Sequence, residues 1–70
     1  MNPSRQVRLH RNVYWHNKDE IHQWCTEHFG EVDINRAEPR TWSYWSTFGA
    51  ADFYFAKSEY ATLFALRWTS

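Results

Sequence analysis

The sequence predicts a small α+β domain, and three observations lead there. Short segments alternate apolar and polar residues at the period of a half-buried strand. Two longer segments repeat apolar residues at i, i+3, i+4 and i+7, the period of a helix packed by one face. The two kinds of segment interleave along a chain of only 70 residues, which admits one domain, residues 1–70. So short a chain buries only about 60% of the surface its unfolded form exposes. Aromatic content compensates: Trp, Tyr and Phe make up 20% of the residues, and each ring buries roughly 150–250 Å². The single cysteine, Cys25, excludes an internal disulfide or a CxxC-type metal staple. Oligomerisation is the other common remedy for a small core.

Residues 1–5 (MNPSR) are polar and expected to fray. In Gln6–His10, Val7 and Leu9 alternate with Gln6, Arg8 and His10, the first strand. Residues 11–16 are open to two readings, since Val13 and Trp15 prolong the alternation while Arg11 and Asn12 interrupt it. A helix is expected from Asn17, a good N-cap with Glu20 three residues on, and with Asp19 and Glu20 favoured by the helix dipole in the first turn. Ile21, Trp24, Cys25 and His28 form its apolar stripe, Phe29 widens it, and Gly30 suits the left-handed position that ends a helix. EVDINRAEPR, 31–40, is a polar connector closed by Pro39. TWSYWSTF, 41–48, is rich in β-formers, Gly49-Ala50-Ala51 turns the chain, and DFYFA, 52–56, returns as the partner of a hairpin. Ser58 then caps a final helix with Ala61, Phe64, Ala65 and Trp68 on one face, flanked by Tyr60, Leu63 and Leu66.

The order is thus β-α-β-β-α. Its natural packing is one antiparallel sheet with both helices on one face, and the crossover rule puts the third strand between the first two. This is a truncated ferredoxin-like fold that lacks its last strand. Such a truncation leaves strand edges open to pairing.

Eight basic and eight acidic side chains give zero formal net charge, which removes the generic electrostatic case for nucleic acid or anionic membrane. Four histidines add positive charge only below about pH 6.5. No apolar run approaches the ~18 residues of a membrane span, and the polar start is no signal peptide; a cytoplasmic protein with a reduced thiol is expected.

The segment Asp52-Phe53-Tyr54-Phe55, a polar turn, and Tyr60-Ala61-Thr62-Leu63-Phe64-Ala65-Leu66-Arg67-Trp68 resembles the C-terminus of short, uncharacterised tailed-phage proteins. It spans 17 of the 70 residues. The pattern reads as fold-defining: the strand delivers Phe53 and Phe55 to the core, and Ala61 and Ala65 let the helix approach closely. The resemblance implies a phage origin, hence the cytoplasm of an infected bacterial cell, and no particular activity. The strand-then-helix rhythm also resembles RNA-recognition motif domains, whose third strand displays aromatics for base stacking. This chain departs from them: it has no basic-Gly-aromatic-Gly run, places Arg8 and His10 where the first strand would show an aromatic, and lacks the fourth strand.

Three chemistries have candidate residues. His22, Cys25 and His28 have metal-ligand types, but His22 and His28 point roughly 120° apart on one helix, so the three cannot surround a tetrahedral ion; nothing in the spacing recruits His10 or His16. Cys25 as a nucleophile beside His28 sits on the apolar face, where burial raises a thiol pKa. Glu31 and Asp33 lie in an open connector, and so short a chain leaves little room for both a core and a substrate pocket. No cofactor, metal or catalytic set is expected, and the protein is expected not to be an enzyme.

The aromatics carry the functional expectation. With Val7, Leu9, Phe53 and Phe55 inward, Arg8, His10 and Tyr54 face the other way. For the second strand, either Trp42 and Tyr44 or Ser43 and Trp45 face outward. Arg8, His10, Trp42, Tyr44, Trp45 and Tyr54 are therefore the candidate contact residues, of types enriched at interface hot spots. The reading they support is a small phage-encoded protein that docks on a host or phage protein, or on copies of itself. The alternative is a single-stranded nucleic-acid binder, with Tyr54 and a ring of the second strand as stacking platforms and Arg5, Arg8 and Arg11 as a basic cluster.

Overall fold

A computed structural model describes residues 5–69. The elements are β1 (Gln6–His10), α1 (Arg11–Phe29), β2 (Trp42–Ser46), β3 (Ala50–Phe55) and α2 (Ser58–Trp68). The three strands form one antiparallel sheet in the order β1-β3-β2. Of the segment expected to fray, residues 1–4 lie outside the described residues, whereas the Arg5 carbonyl accepts a hydrogen bond from Phe55 N–H at 2.8 Å.

The centre strand shows the period of two most cleanly. Ala51, Phe53 and Phe55 are buried, while Ala50, Asp52 and Tyr54 between them are half-buried. Register puts Trp42 opposite Phe55 and Tyr44 opposite Phe53, so these four share the inner face. Both helices cover that face, since Tyr14 of α1 and Phe64 of α2 each contact Phe53, with ring centroids 5.8 and 4.7 Å away. Leu9, Ile21, Cys25, Phe29 and Ala61 complete the buried cluster.

Helix α1 begins six residues before the expected Asn17. His10 is its N-cap, with Nδ1 accepting from Asn12 N–H at 3.1 Å. The ambiguous segment 11–16 is therefore helical, and Asp19 and Glu20 lie beyond the first turn. Tyr14 explains the difference: seven residues before Ile21, it extends the same stripe and is 1% exposed. Asn17 instead marks a kink, with φ −121° and ψ 18°, and its side-chain amide donates to the Val13 carbonyl at 3.0 Å. An asparagine bonding back to i−4 competes with the helix, which is why it resembles a cap in sequence. At the other end Gly30 adopts φ 102° and its N–H bonds to Thr26 C=O.

Two smaller boundaries also move. Thr47 N–H donates to Ala50 C=O at 2.8 Å, so the hairpin turns at 47–49 and Ala50 and Ala51 belong to β3. Lys57, not Ser58, is the N-cap of α2, with no side-chain cap bond; the Ser58 hydroxyl donates to Glu59 Oε1 at 3.3 Å instead. Ala61 and Phe64 of α2 are buried, Ala65 and Trp68 half-buried, and Leu63 and Leu66 exposed.

Candidate functional site

The face of the sheet opposite the helices carries Arg8 from β1, Asp52 and Tyr54 from β3, and Ser43 and Trp45 from β2. Register places Asp52 between Arg8 and Trp45. Arg8 grips Asp52 with two donors, Nε to Oδ1 at 2.8 Å and Nη2 to Oδ2 at 3.3 Å. Hydrogen bonding to Asp52, then its charge, holds the Arg8 guanidinium above its ordinary pKa. The Arg8 side chain is 69% exposed, so the pair fixes a surface orientation and adds little stability.

The connector between α1 and β2 is not open. Asp33 N–H donates to Trp42 C=O at 2.7 Å, and its carboxylate accepts from Arg40 N–H at 2.8 Å and Asn35 N–H at 3.1 Å. Those backbone donors, Arg40 first and Asn35 second, hold the Asp33 carboxyl below its usual range. Asn35 Oδ1 in turn accepts from Ala37 and Glu38 N–H. The loop so organised returns Arg36 over Trp45, with the guanidinium carbon 4.1 Å from the ring centroid. Ser43, 2% exposed on this outer face, lines one groove with Asp33, Ile34 and Arg36 of the connector.

The six candidate residues therefore separate. Arg8, Trp45 and Tyr54 share the outer face. Trp42 and Tyr44 leave the contact set, as the second-strand alternative resolves with Ser43 and Trp45 outward. Trp42 is 1% exposed, its Nε1–H donates to Gly30 C=O at 2.7 Å, and it stacks on Phe53 and Tyr44. Tyr44 is half-buried and edge-on to His22 at 4.4 Å. His10 is occupied as the cap of α1. The Arg5, Arg8, Arg11 cluster divides as well: Arg8 is paired with Asp52, Arg5 lines a shallow groove with Arg36 and Tyr54, and Arg11 lines a different cleft.

That second cleft holds aromatic residues outside the candidate contact set. Trp15 and Phe48, 56% and 95% exposed, face it together with Arg11, Asn12, Ser46 and Thr47. Phe48 closes the expected second strand, 41–48, but in the structure it lies in the turn beyond β2. Its place one residue before Gly49 was the available signal, because a large ring at a turn has no strand to pack against.

On α1, His22, Cys25 and His28 point to different surroundings. The Tyr14 hydroxyl hydrogen-bonds His22 Nε2 at 2.9 Å. Burial pushes Tyr14 up to about 12 and Cys25 up to about 12. His28 is exposed, stacks on Trp24 at 4.2 Å, and donates from Nδ1 to the Trp24 carbonyl. Among the described residues no three His, Cys, Asp or Glu side chains gather in a way that could hold a metal ion. No described helix is long and apolar enough to cross a membrane.

His22 provides a pH test. Burial, then repulsion from Lys18, lowers its pKa, with Asp19 opposing. The unfolded chain, with an ordinary histidine value of about 6.5, thus binds the proton more readily than the folded one. Stability is full above that value and falls as pH drops through it. The melting temperature of the protein should decrease from pH 7 to pH 5, and His22→Gln should flatten that slope. An equal slope in the variant would assign the effect to other groups. The Asp33 contribution has the same sign but is lost only below the ordinary carboxylate value of about 3.9.

No family model, curated protein or solved structure matches the chain.

Proposed function

We propose that this is a small, phage-encoded, non-enzymatic protein that acts in the infected bacterial cytoplasm by docking on a host or phage protein. Its frame is a ferredoxin-like sheet without the last strand, and the outer face of that sheet is the docking surface. The observation that carries the reading is Trp45: it is 52% exposed, held under Arg36 and set beside the Arg8–Asp52 pair. Trp and Arg together are the residue types that dominate binding energy at interfaces, and here they are oriented before any partner arrives, which lowers the ordering cost of association.

The test is affinity capture from infected cells followed by mass spectrometry, run beside thermal melting. Trp45→Ala, at an exposed ring, and Tyr54→Ala, at a half-buried one, should lose the captured partner while the fold survives, with stability changes of about 1 kcal/mol for the first and no more than about 2 kcal/mol for the second. Capture unchanged in both variants would exclude the outer face. Unfolding of both would return these rings to the core.

A second reading has its own observation. Tyr54 lines a groove with Arg5 and Arg36, a ring and two cations of the kind that stack bases and track phosphate in single strands. Under this reading a single-stranded oligonucleotide binds in a salt-sensitive way, and Tyr54→Ala abolishes the signal.

A further inference from the structure

The strands of the sheet present unequal free edges. Thr41 C=O accepts from Ala56 N–H and Thr47 N–H donates to Ala50 C=O, so the odd-numbered residues of β2 turn their backbone groups toward β3. Trp42 C=O, bonded to Asp33 N–H, faces the opposite way. By alternation, Tyr44 and Ser46 direct N–H and C=O outward, where they have no partner among the described residues. The outer edge of β1 carries Arg8 and ends at the His10 cap. Charge of that kind protects an edge from pairing. The segment Trp42–Ser46 has no charged residue.

Large apolar side chains collect beside this unprotected edge. Val32, which bridges Trp42, is 46% exposed, Ile34 95%, Trp45 52% and Phe48 95%. Val32 and Ile34 lie with Asp33, Arg36, Tyr44 and Trp45 along one groove at the edge, and Phe48 stands in the turn beyond the other end of β2. A two-fold axis through the edge brings the two ends together. Parity allows Ser46 to face Ser46 of a second copy; the alternative that sets it opposite Tyr44 would need the edge beside Trp42, which Val32 and Asp33 already hold. In the Ser46 register the free backbone groups of the two Ser46 residues pair, and the turn carrying Phe48 comes to the end of the partner edge where Tyr44 and Ile34 lie.

We propose that β2 pairs antiparallel with β2 of a second copy, joining two three-stranded sheets into one of six strands. The occupant is a second copy because the edge is complementary to itself: its donors, acceptors, ring and aliphatics all find counterparts under one two-fold axis. A net charge of zero sets no repulsion against it. The edge is short beside the ~800 Å² per partner of a standard stable interface, so the dimer forms with a dissociation constant of tens of micromolar in order of magnitude. This inference rests on the reading of the protein as a docking protein, and extends it to β2.

Sedimentation from about 5 to 500 µM, a range that brackets that affinity, reads the outcome directly. The expected result is a shift from the 8.6 kDa chain to twice that mass. Ser46→Pro removes an outward N–H without touching the β3 ladder, a position where edge strands tolerate proline, and should hold the chain monomeric. Phe48→Ala, at an exposed turn, should weaken the dimer at least about tenfold, with circular dichroism unchanged; it carries the test if the proline variant unfolds. A parent monomeric throughout the range, or a dimer that ignores both substitutions, overturns the proposal. If the parent is monomeric and Ser46→Pro abolishes partner capture, the edge serves a different chain. Capture lost only in Tyr54→Ala leaves the outer-face reading standing without self-pairing.

Discussion

Phe64→Ala is expected to cost about 3–5 kcal/mol, the range for truncating a buried aromatic. Phe64 is fully buried and meets Phe53 at 4.7 Å, Phe55 at 5.2 Å and Trp24 at 6.1 Å. It is therefore the point at which α2, β3 and α1 all touch. No neighbour can collapse into the void without loosening one of the others. At about 0.05–0.15 kcal/mol per residue, a domain of this size has roughly 4–10 kcal/mol in total, so the substitution removes a large part of it. Thermal melting followed by circular dichroism should show a fall of roughly 12–40 °C, at 4–8 °C per kcal/mol. Leu63→Ala, one position away on the exposed side of the same helix, is the control and should move the midpoint by only a few degrees. A Phe64→Ala midpoint within a few degrees of the parent would mean that α2 does not close the core.

The second large effect separates two tryptophans three residues apart. Trp42→Ala should also cost about 3–5 kcal/mol, because it empties the space against Phe53 and leaves the Gly30 carbonyl without its donor. Trp45→Ala loses an exposed cation–π contact with Arg36, worth about 0.5–1 kcal/mol. The same pair of melting curves that ranks them also measures the parity of β2. Equal costs would place both rings in the core and remove the outer-face aromatic.

That parity marks where the sequence stopped being legible. In Trp-Ser-Tyr-Trp-Ser, large side chains fall on both alternations, so no count of apolar residues chooses a face. The choice comes from outside the strand, through the Trp42 indole reaching Gly30 and the connector carrying Arg36 onto Trp45. The α+β class was readable because its signals are local: alternation in DFYF, helical spacing from Ile21 to Phe29 and from Ala61 to Trp68. The start of α1 was not, because Asn17 carries the chemistry of a cap and uses it on Val13. Of the solvent-facing residues, Arg8 and Tyr54 followed from alternation on strands with a single apolar face. Trp15 and Phe48 did not, since each owes its exposure to where an element begins or turns.

The order of strands in the sheet has a consequence for how the protein is made. The strand at the centre is the last of the three to be synthesised. Gln6 pairs with Tyr54 and Arg8 with Asp52, so β1 has no partner until the ribosome has passed residue 50. At about 5–20 residues per second that is a wait of roughly 2–9 s, whereas a hairpin such as β2–β3 closes in about 1–10 µs once both halves exist. A nascent chain that stops at Ser46 contains two strands that never meet in the finished sheet. The fold cannot accumulate stepwise from its beginning; it assembles when β3 arrives, and until then the first strand has only the helix behind it for company.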